Sequence, residues 1–231
     1  MSEANRKPFV FDFNDIAAEY DEWYESAEGR LYDKLEKRAM LSVLGEVKQG
    51  ETLLEVGVGT GWWSLFFSEL GFRVTGIDIS PKMVDMARSK GIPGSAFAVA
   101  DAHQLPFSDA SFTAAAAITT IEFTQWPEIA LSEMVRCTAR PSGHLFLGVL
   151  HASAPVNRER AKNPETPFAS AHLFTMDGLY KLLTPHGRTI LRLSAFPLSL
   201  KLAPPVAYRV DDLGAWMKWK TGAFIAARVK L

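Results

Sequence analysis

Beyond about residue 30 the apolar positions fall into two alternating rhythms. Leu31, Leu35, Ala39, Val43 and Val47 recur every four residues, which places them on one face of a helix, with Gly45 and Gly50 bracketing its end. Thr52–Val56 is a short apolar run of strand character, followed by glycines and by a helical stretch from Trp62 to Leu70 that Gly71 stops. Arg73–Ile77 predicts a second strand. Ser80-Pro81 then reads as an N-cap with proline at the first helical position, opening a helix to about Lys90 that buries Met83, Val84 and Ala87. Ala96–Ala100, Phe112–Ile118 and His144–Leu150 predict a third, fourth and fifth strand, with a helix from Pro127 to about Ala139 between the last two. Two further strands, Thr189–Ala195 and Ala223–Lys230, follow a helix at Met176–Leu183 that Thr175 caps.

Strands alternating with helices at this spacing predict an α/β protein, a parallel sheet covered on both faces with right-handed crossovers. The expected organisation is one domain over residues 1–231. Residues 1–50 form an N-terminal helical cap, 51–150 a core, and 151–231 the remaining strands and lid segments. The N-terminal residues show no strand period, and two later connections break the alternation. Met1 to about Glu28 carries Phe9, Phe11, Phe13, Tyr20, Trp23 and Tyr24 among acids without a strand period. Ala152–Ala171 is polar and contains Pro155, Pro164 and Pro167, and Pro197–Lys220 holds Pro204-Pro205, Trp216, Met217 and Trp219. Long connections in a compact domain are usually functional, so both are expected to help close a site.

Composition narrows the chemistry. With a formal charge of −1 and no long Lys/Arg cluster, the chain lacks the basic patch that phosphate-backbone binding requires, which argues against nucleic acid as a partner. Met1–Pro8 is polar without an apolar signal region, and no apolar run approaches the ~18–20 residues of a membrane span. Cys137 is the single cysteine, so an intrachain disulfide is excluded, and no cluster has metal-ligand spacing. The expectation by elimination is a cytoplasmic protein without a metal; monomer and homodimer stay equally open.

The sharpest signal is Leu53-Leu54-Glu55-Val56-Gly57-Val58-Gly59-Thr60-Gly61. Glycines at alternate positions after a strand allow positive φ and let a ligand approach the backbone, while the helix that follows aims its N-terminus at it. A dinucleotide fold wants G-x-G-x-x-G, and here that last position is Trp62, which argues against a nicotinamide-dependent oxidoreductase. Asp78 ends the second strand in Val74-Thr75-Gly76-Ile77-Asp78-Ile79-Ser80, where a carboxylate can accept both hydroxyls of a ribose. Asp101, followed by Ala102, ends the third strand, where it can meet the exocyclic amine of an adenine. Acids and glycines at successive strand ends converge where open α/β sheets bind ligands.

With LLEVGVGTG (53–61), VTGIDIS (74–80), VADAHQLPFSDASF (99–112) and RPSGHLFLGVL (140–150), the chain resembles class I S-adenosylmethionine-dependent methyltransferases, in particular those related to ubiquinone/menaquinone biosynthesis. The resemblance implies a doubly wound, seven-stranded, mostly parallel sheet whose last strand is antiparallel and inserted beside the sixth. By matching positions it implies that Gly57, Gly59 and Gly61 line the methionine end, with Glu55 beneath the cofactor and Thr60 and Thr119 beside it. Asp78 would hold the ribose, Ile79 and Met83 flank the adenine, Asp101 and Ala102 bind its edge, and His103 lie near it. Tyr20 matches a segment that folds over the cofactor. The chain departs from its relatives after the fourth strand, where it has Ile118-Thr119-Thr120-Ile121-Glu122-Phe123, and in the bulk of Trp62 and Trp63. It has no Asn/Asp-Pro-Pro-aromatic sequence, which argues against methylation of nucleic-acid or glutamine amines.

Methyl transfer needs alignment above all, so a base is optional. Glu122, His151, His172 and Tyr24 are the candidates near an acceptor. Each has a simpler reading: a solvent-facing carboxylate for Glu122, a backbone-satisfied strand end for His151, and loop or core packing for His172 and Tyr24. The expected function is methyl transfer to a small-molecule acceptor. The alternative is a cofactor-binding protein that turns nothing over.

Overall fold

A computed structural model describes residues 13–196 and 203–231. Met1–Pro8, Phe9, Phe11 and the opening of the Pro197–Lys220 stretch lie outside the described residues.

The strands are β1 (Thr52–Val56), β2 (Arg73–Asp78), β3 (Ala96–Val99), β4 (Ala114–Ile118), β5 (His144–Leu150), β6 (Arg188–Ser194) and β7 (Phe224–Lys230). They form one sheet in the order β3-β2-β1-β4-β5-β7-β6. Neighbours among β1 to β5 pair in parallel, whereas β7 pairs antiparallel with both β5 and β6. The expected sheet, with its last strand reversed beside the sixth, is the one observed. The order reverses between β1 and β4: the chain works outward to β3, then returns to the other side of β1. That switch opens a crevice at the carboxyl ends of β1 and β4.

Eight α-helices accompany the sheet among the described residues: α1 (Ala17–Glu25), α2 (Ala27–Leu44), α3 (Trp62–Glu69), α4 (Pro81–Ser89), α5 (Pro127–Cys137), α6 (Pro155–Arg160), α7 (Met176–Leu183) and α8 (Pro204–Trp216). Alternate strand residues serve opposite faces, as the pleat requires. On β4, Ala114, Ala116 and Ile118 join Leu35, Met40, Phe67 and Phe146 in one layer, while Ala115 and Ala117 join Leu54, Leu131 and Met134 in the other. Cys137 is a buried member of this second layer.

The irregular stretches need correction. Both proline-containing connections hold helices, because Pro155 and Pro204 sit in the first turns of α6 and α8, where a missing N–H costs nothing. α8 packs on α2 and β6 and is pinned by Asp211, which accepts from Ser194 Oγ at 2.8 Å and from the Ala195 amide at 2.8 Å. Trp216 is 79% exposed and Trp219 packs edge-on against Phe196, so this pair does not roof the crevice. The 152–171 stretch does reach toward it: a single turn at Pro167–Ser170 sets Phe168 edge-on against Phe123, centroids 5.9 Å apart. The aromatic, acidic N-terminal stretch is helical at α1, whose buried face carries Ala17 and Tyr24. α2 stops at Leu44, short of Val47, and β4 starts at Ala114, with Phe112 only bridging to Thr138. Among the described residues no helix is long and apolar enough to cross a membrane.

Candidate active site

A cavity of about 520 Å³ fills the crevice. Its floor is the turn from β1 into α3. Gly57 and Gly59 hold φ of +73° and +53°, and the amides of Gly57 and Val58 donate to the Ile77 carbonyl at 2.8 and 2.9 Å, which ties the turn to β2. A Cβ at Gly57 would stand 2.1 Å from Thr120 Cγ2, whereas one at Gly59 would meet nothing nearer than Tyr20 Cε1 at 3.9 Å. Gly59 therefore presents bare backbone to the cavity. Gly61 plays another part. It lies outside the cavity wall at the N-cap of α3, where a Cβ would press on Ala87 and Ile92 at 3.3 Å. Its small size serves packing of α3 against α4.

Asp78 stands at the cavity edge, 9% exposed. Its Oδ2 accepts from the Gly59 amide and its Oδ1 from the Ser80 amide, both at 2.9 Å. Burial raises its pKa and these amides oppose the rise. Each oxygen keeps lone-pair capacity for hydroxyls entering from the cavity. Ser80 Oγ accepts from the Met83 amide at 3.2 Å to cap α4, and itself donates to Asn14 Oδ1 at 2.8 Å. Ile79 and Met83 lie in the wall, the first largely exposed and the second buried.

Asp101, Ala102 and His103 form the far end of the cavity. The Trp126 amide donates to His103 Nε2 at 3.2 Å, which assigns the ring proton to Nδ1, 2.6 Å from Asp101 Oδ1. Glu55 faces the cavity from β1, accepts from Ser64 Oγ at 2.5 Å, and is pushed by burial to a pKa of about 8. Thr60 and Thr119 line the wall as well.

The roof is α1. Tyr20 and Tyr24 both line the cavity, their ring centroids 5.7 Å apart, and Tyr24 stacks on Trp62 at 5.0 Å. Burial pushes Tyr20 up to about 12 and raises Tyr24 too, so neither phenol is a base near neutral pH. One acid clasps the roof to the floor. Asp21 accepts from the Thr60 hydroxyl and from Trp62 Nε1 (2.8 Å), and pairs with Lys90 Nζ at 2.7 Å. Lys90 also lies 5.0 Å from the Trp62 ring centroid. Sequence reasoning missed this clasp, since its members come from three separate helices and loops with no local spacing to reveal them.

The other acceptor-side candidates separate. Glu122 is wholly buried instead of solvent-facing, because the turn after β4 folds it inward onto β5, where its Oε1 accepts from the Leu150 amide at 2.9 Å. Burial raises it to about 7. His151 is buried, bonded through Nδ1 to the Gly222 carbonyl at 2.8 Å, and burial lowers its pKa. The His172 amide donates to the Glu122 carbonyl at 2.7 Å. None of the three lines the cavity. Glu36 on α2 was also missed. It is buried, raised to about 8 by burial and then by Asp33, and it falls in the apolar row with Met40 and Leu44. An acid at such a spacing is the signal that finds it.

A doubly wound sheet with bare glycine backbone and a buried acid at its switch point is the arrangement that nucleoside-binding α/β proteins use. Residues 54–147 match the family model of a methyltransferase domain. The chain is 35% identical over 182 residues to a demethylmenaquinone methyltransferase from Beutenbergia cavernae, covering 77% of this chain and 67% of that one. It is 30% identical over 150 residues to a malonyl-[acyl-carrier protein] O-methyltransferase from Serratia marcescens, covering 65% of this chain and 55% of the relative's length. Among solved structures it is similar to a SAM-dependent methyltransferase from Thermotoga maritima, described as a possible histamine N-methyltransferase. That match has 25% identity, a TM-score of 0.73, and covers 94% of this chain and 97% of the other. The chain belongs to the class I S-adenosylmethionine-dependent methyltransferases and resembles their ubiquinone/menaquinone group. It spans between about half and two thirds of the length of the two curated relatives named above.

Proposed function

We propose that this chain binds S-adenosylmethionine and transfers its methyl group to a small-molecule acceptor. The observation that carries this reading is Asp78, held 2.9 Å from the Gly59 amide so that a carboxylate and bare backbone share one corner of the cavity. The residues fit the cofactor by shape: a Cβ at Gly59 would project into otherwise open space, the side a nucleoside must occupy. Trp62 fills the position where a dinucleotide site needs its last glycine, and its ring lines the cavity, against a pyrophosphate.

In this reading Asp78 accepts the ribose hydroxyls, Ile79 and Met83 sandwich the adenine, and Asp101, Ala102 and His103 meet its edge. Gly57, Gly59, Thr60, Glu55 and Thr119 surround the methionine end, while Gly61 acts through packing. When bound, the cofactor supplies a methyl group already activated by its sulfonium. The chain's task is then to align the acceptor and keep water out, which well-oriented model systems show can lower a barrier by up to roughly 7–11 kcal/mol. Tyr20 and Tyr24 on α1 exclude water from above. With His151 and His172 outside the wall, alignment carries more of the catalysis than a histidine base. A cavity of about 520 Å³ under a helical roof suits a small acceptor.

Titration calorimetry with S-adenosylhomocysteine, with NAD(H) as control, tests the proposal. Micromolar binding of the first and none of the second is expected. Binding of NAD(H) alone, or of neither by folded protein, refutes it.

A further inference from the structure

Trp216, Met217 and Trp219 stand out in the sequence, and the cavity uses none of them. The helix that leads to them has two sides of opposite character. Ala207, Asp211 and Gly214 are buried, and Gly214 lets α8 lie against Phe196, since a Cβ there would come within 2.8 Å of its ring. The other side is open. Val206, Leu213 and Met217, at steps of seven and four, share one line along it and are 45–52% exposed. Arg209 and the still more exposed Trp216 flank that line.

The turn that ends α8 extends this face. Lys218 adopts a φ of +55°, and the Trp219 amide donates back to the Gly214 carbonyl at 2.9 Å. That closure fixes Trp216-Met217-Lys218-Trp219-Lys220 as an exposed run. Charge is biased too. Asp212, the exposed acid of α8, is neutralised by Arg38 at 3.0 Å and Arg192 at 3.2 Å. Arg209, Lys218 and Lys220 are exposed, and among the described residues their side chains have no ion-pair partner.

Apolar side chains interleaved with free cations suit one kind of partner best. A stable protein–protein contact takes roughly 800 Å² on each side, whereas two partly exposed indoles and a thioether offer on the order of half that. A bilayer surface needs no such area. Trp rings settle at the headgroup level, an apolar helix face sinks ~5–10 Å, and Lys or Arg is drawn to anionic lipid.

We propose that this face of α8 docks on the surface of an anionic phospholipid bilayer. Trp216 and Met217 reach the acyl boundary, and Arg209, Lys218 and Lys220 meet the phosphates. The protein then lies on the membrane without crossing it. This docking is independent of the methyltransferase reading and stands or falls separately from it.

Cosedimentation with vesicles tests the proposal, using phosphatidylcholine alone and phosphatidylcholine with about one third phosphatidylglycerol. Binding to the anionic vesicles at roughly 1 mM lipid is expected, with little to the neutral ones and loss in high salt. Trp216→Ser should weaken anionic binding about tenfold. Lys218→Asn with Lys220→Gln should weaken it about fivefold for each lysine, asparagine being chosen because it tolerates the left-handed backbone at 218. Both variants change exposed side chains, so their thermal midpoints should match that of the unsubstituted protein. Equal binding to the two vesicles, binding to neither, or anionic binding that ignores both variants overturns the proposal. So does self-association that Trp216→Ser abolishes without any vesicle binding, since a second copy of the chain would then be what covers this face.

Discussion

The floor and the roof of the cavity are built by different means. The floor is built on backbone amides: those of Gly57 and Val58 tie the glycine turn to the Ile77 carbonyl of β2, and those of Gly59 and Ser80 hold the Asp78 carboxylate, all at 2.8–2.9 Å. The roof is side chains: Tyr24 on Trp62, and Asp21 on Thr60, Trp62 and Lys90, across about 40 to 70 residues of sequence. A floor of backbone bonds between packed strands is rigid and intolerant of added atoms. A roof of partly exposed polar contacts is adjustable, since such pairs are each worth roughly 0–1 kcal/mol. The contrast suits a protein that must hold a cofactor firmly and still let it in and out.

Substitutions in the two regions should therefore differ in severity. Gly57→Ala places a Cβ on Thr120 at positive φ, and S-adenosylhomocysteine affinity is expected to fall about a hundredfold, equivalent to ~2.7 kcal/mol. Near-native affinity in calorimetry would show that the floor yields. Asp78→Ala removes a carboxylate without adding bulk, and a loss of tenfold or more is expected in the same titration. Unchanged affinity with the fold intact would strip Asp78 of its assigned role.

The acids around the cavity sharpen the comparison through pH. Glu36 and Glu55, raised to about 8, and Glu122, raised to about 7, keep protons in the folded state that the unfolded chain releases. Their contribution to stability is full below the ordinary carboxylate range and is lost as pH climbs toward 7 and 8. Urea midpoints should fall between about pH 5 and pH 8, and Glu36→Gln should flatten that fall by on the order of 1–3 kcal/mol. A midpoint that rises over this range contradicts the assignment. The smallest effect belongs to the clasp. Asp21→Ala should speed S-adenosylhomocysteine release about three- to tenfold in stopped-flow fluorescence, and added salt should erode the difference. Identical release rates would leave α1 as packing alone.

Much of the floor was legible because its signals are local. Alternating glycines after Thr52–Val56, Asp78 at the end of β2 and the Ser80-Pro81 cap each lie within a few residues of what they shape. The strands announced themselves as apolar runs cut off by glycine. The helices α6 and α8 did not, since their prolines read as breakers when in fact they start them. Trp216 and Trp219 drew attention by size, yet their neighbours on α8 give no hint of which side faces the cavity. The roof was partly visible, through Tyr20 and Tyr24, but Asp21 and Lys90 only acquire meaning when α1 meets the α4 end. Glu122 misled in the opposite direction, since nothing in Thr120-Ile121-Glu122 says that the turn folds inward.

The reversed strand has a consequence for how the molecule is made. β6 lies at the sheet edge and bonds to β7 alone, and β7 in turn is what joins it to β5. During synthesis β1 to β5 can zip together in order as they emerge, but β6 must wait, unpaired, until residues 224–230 arrive to slot between strands already made. The final pairing is thus a closing stitch, and until it is drawn β5 and β6 both offer open edges to any other nascent chain nearby.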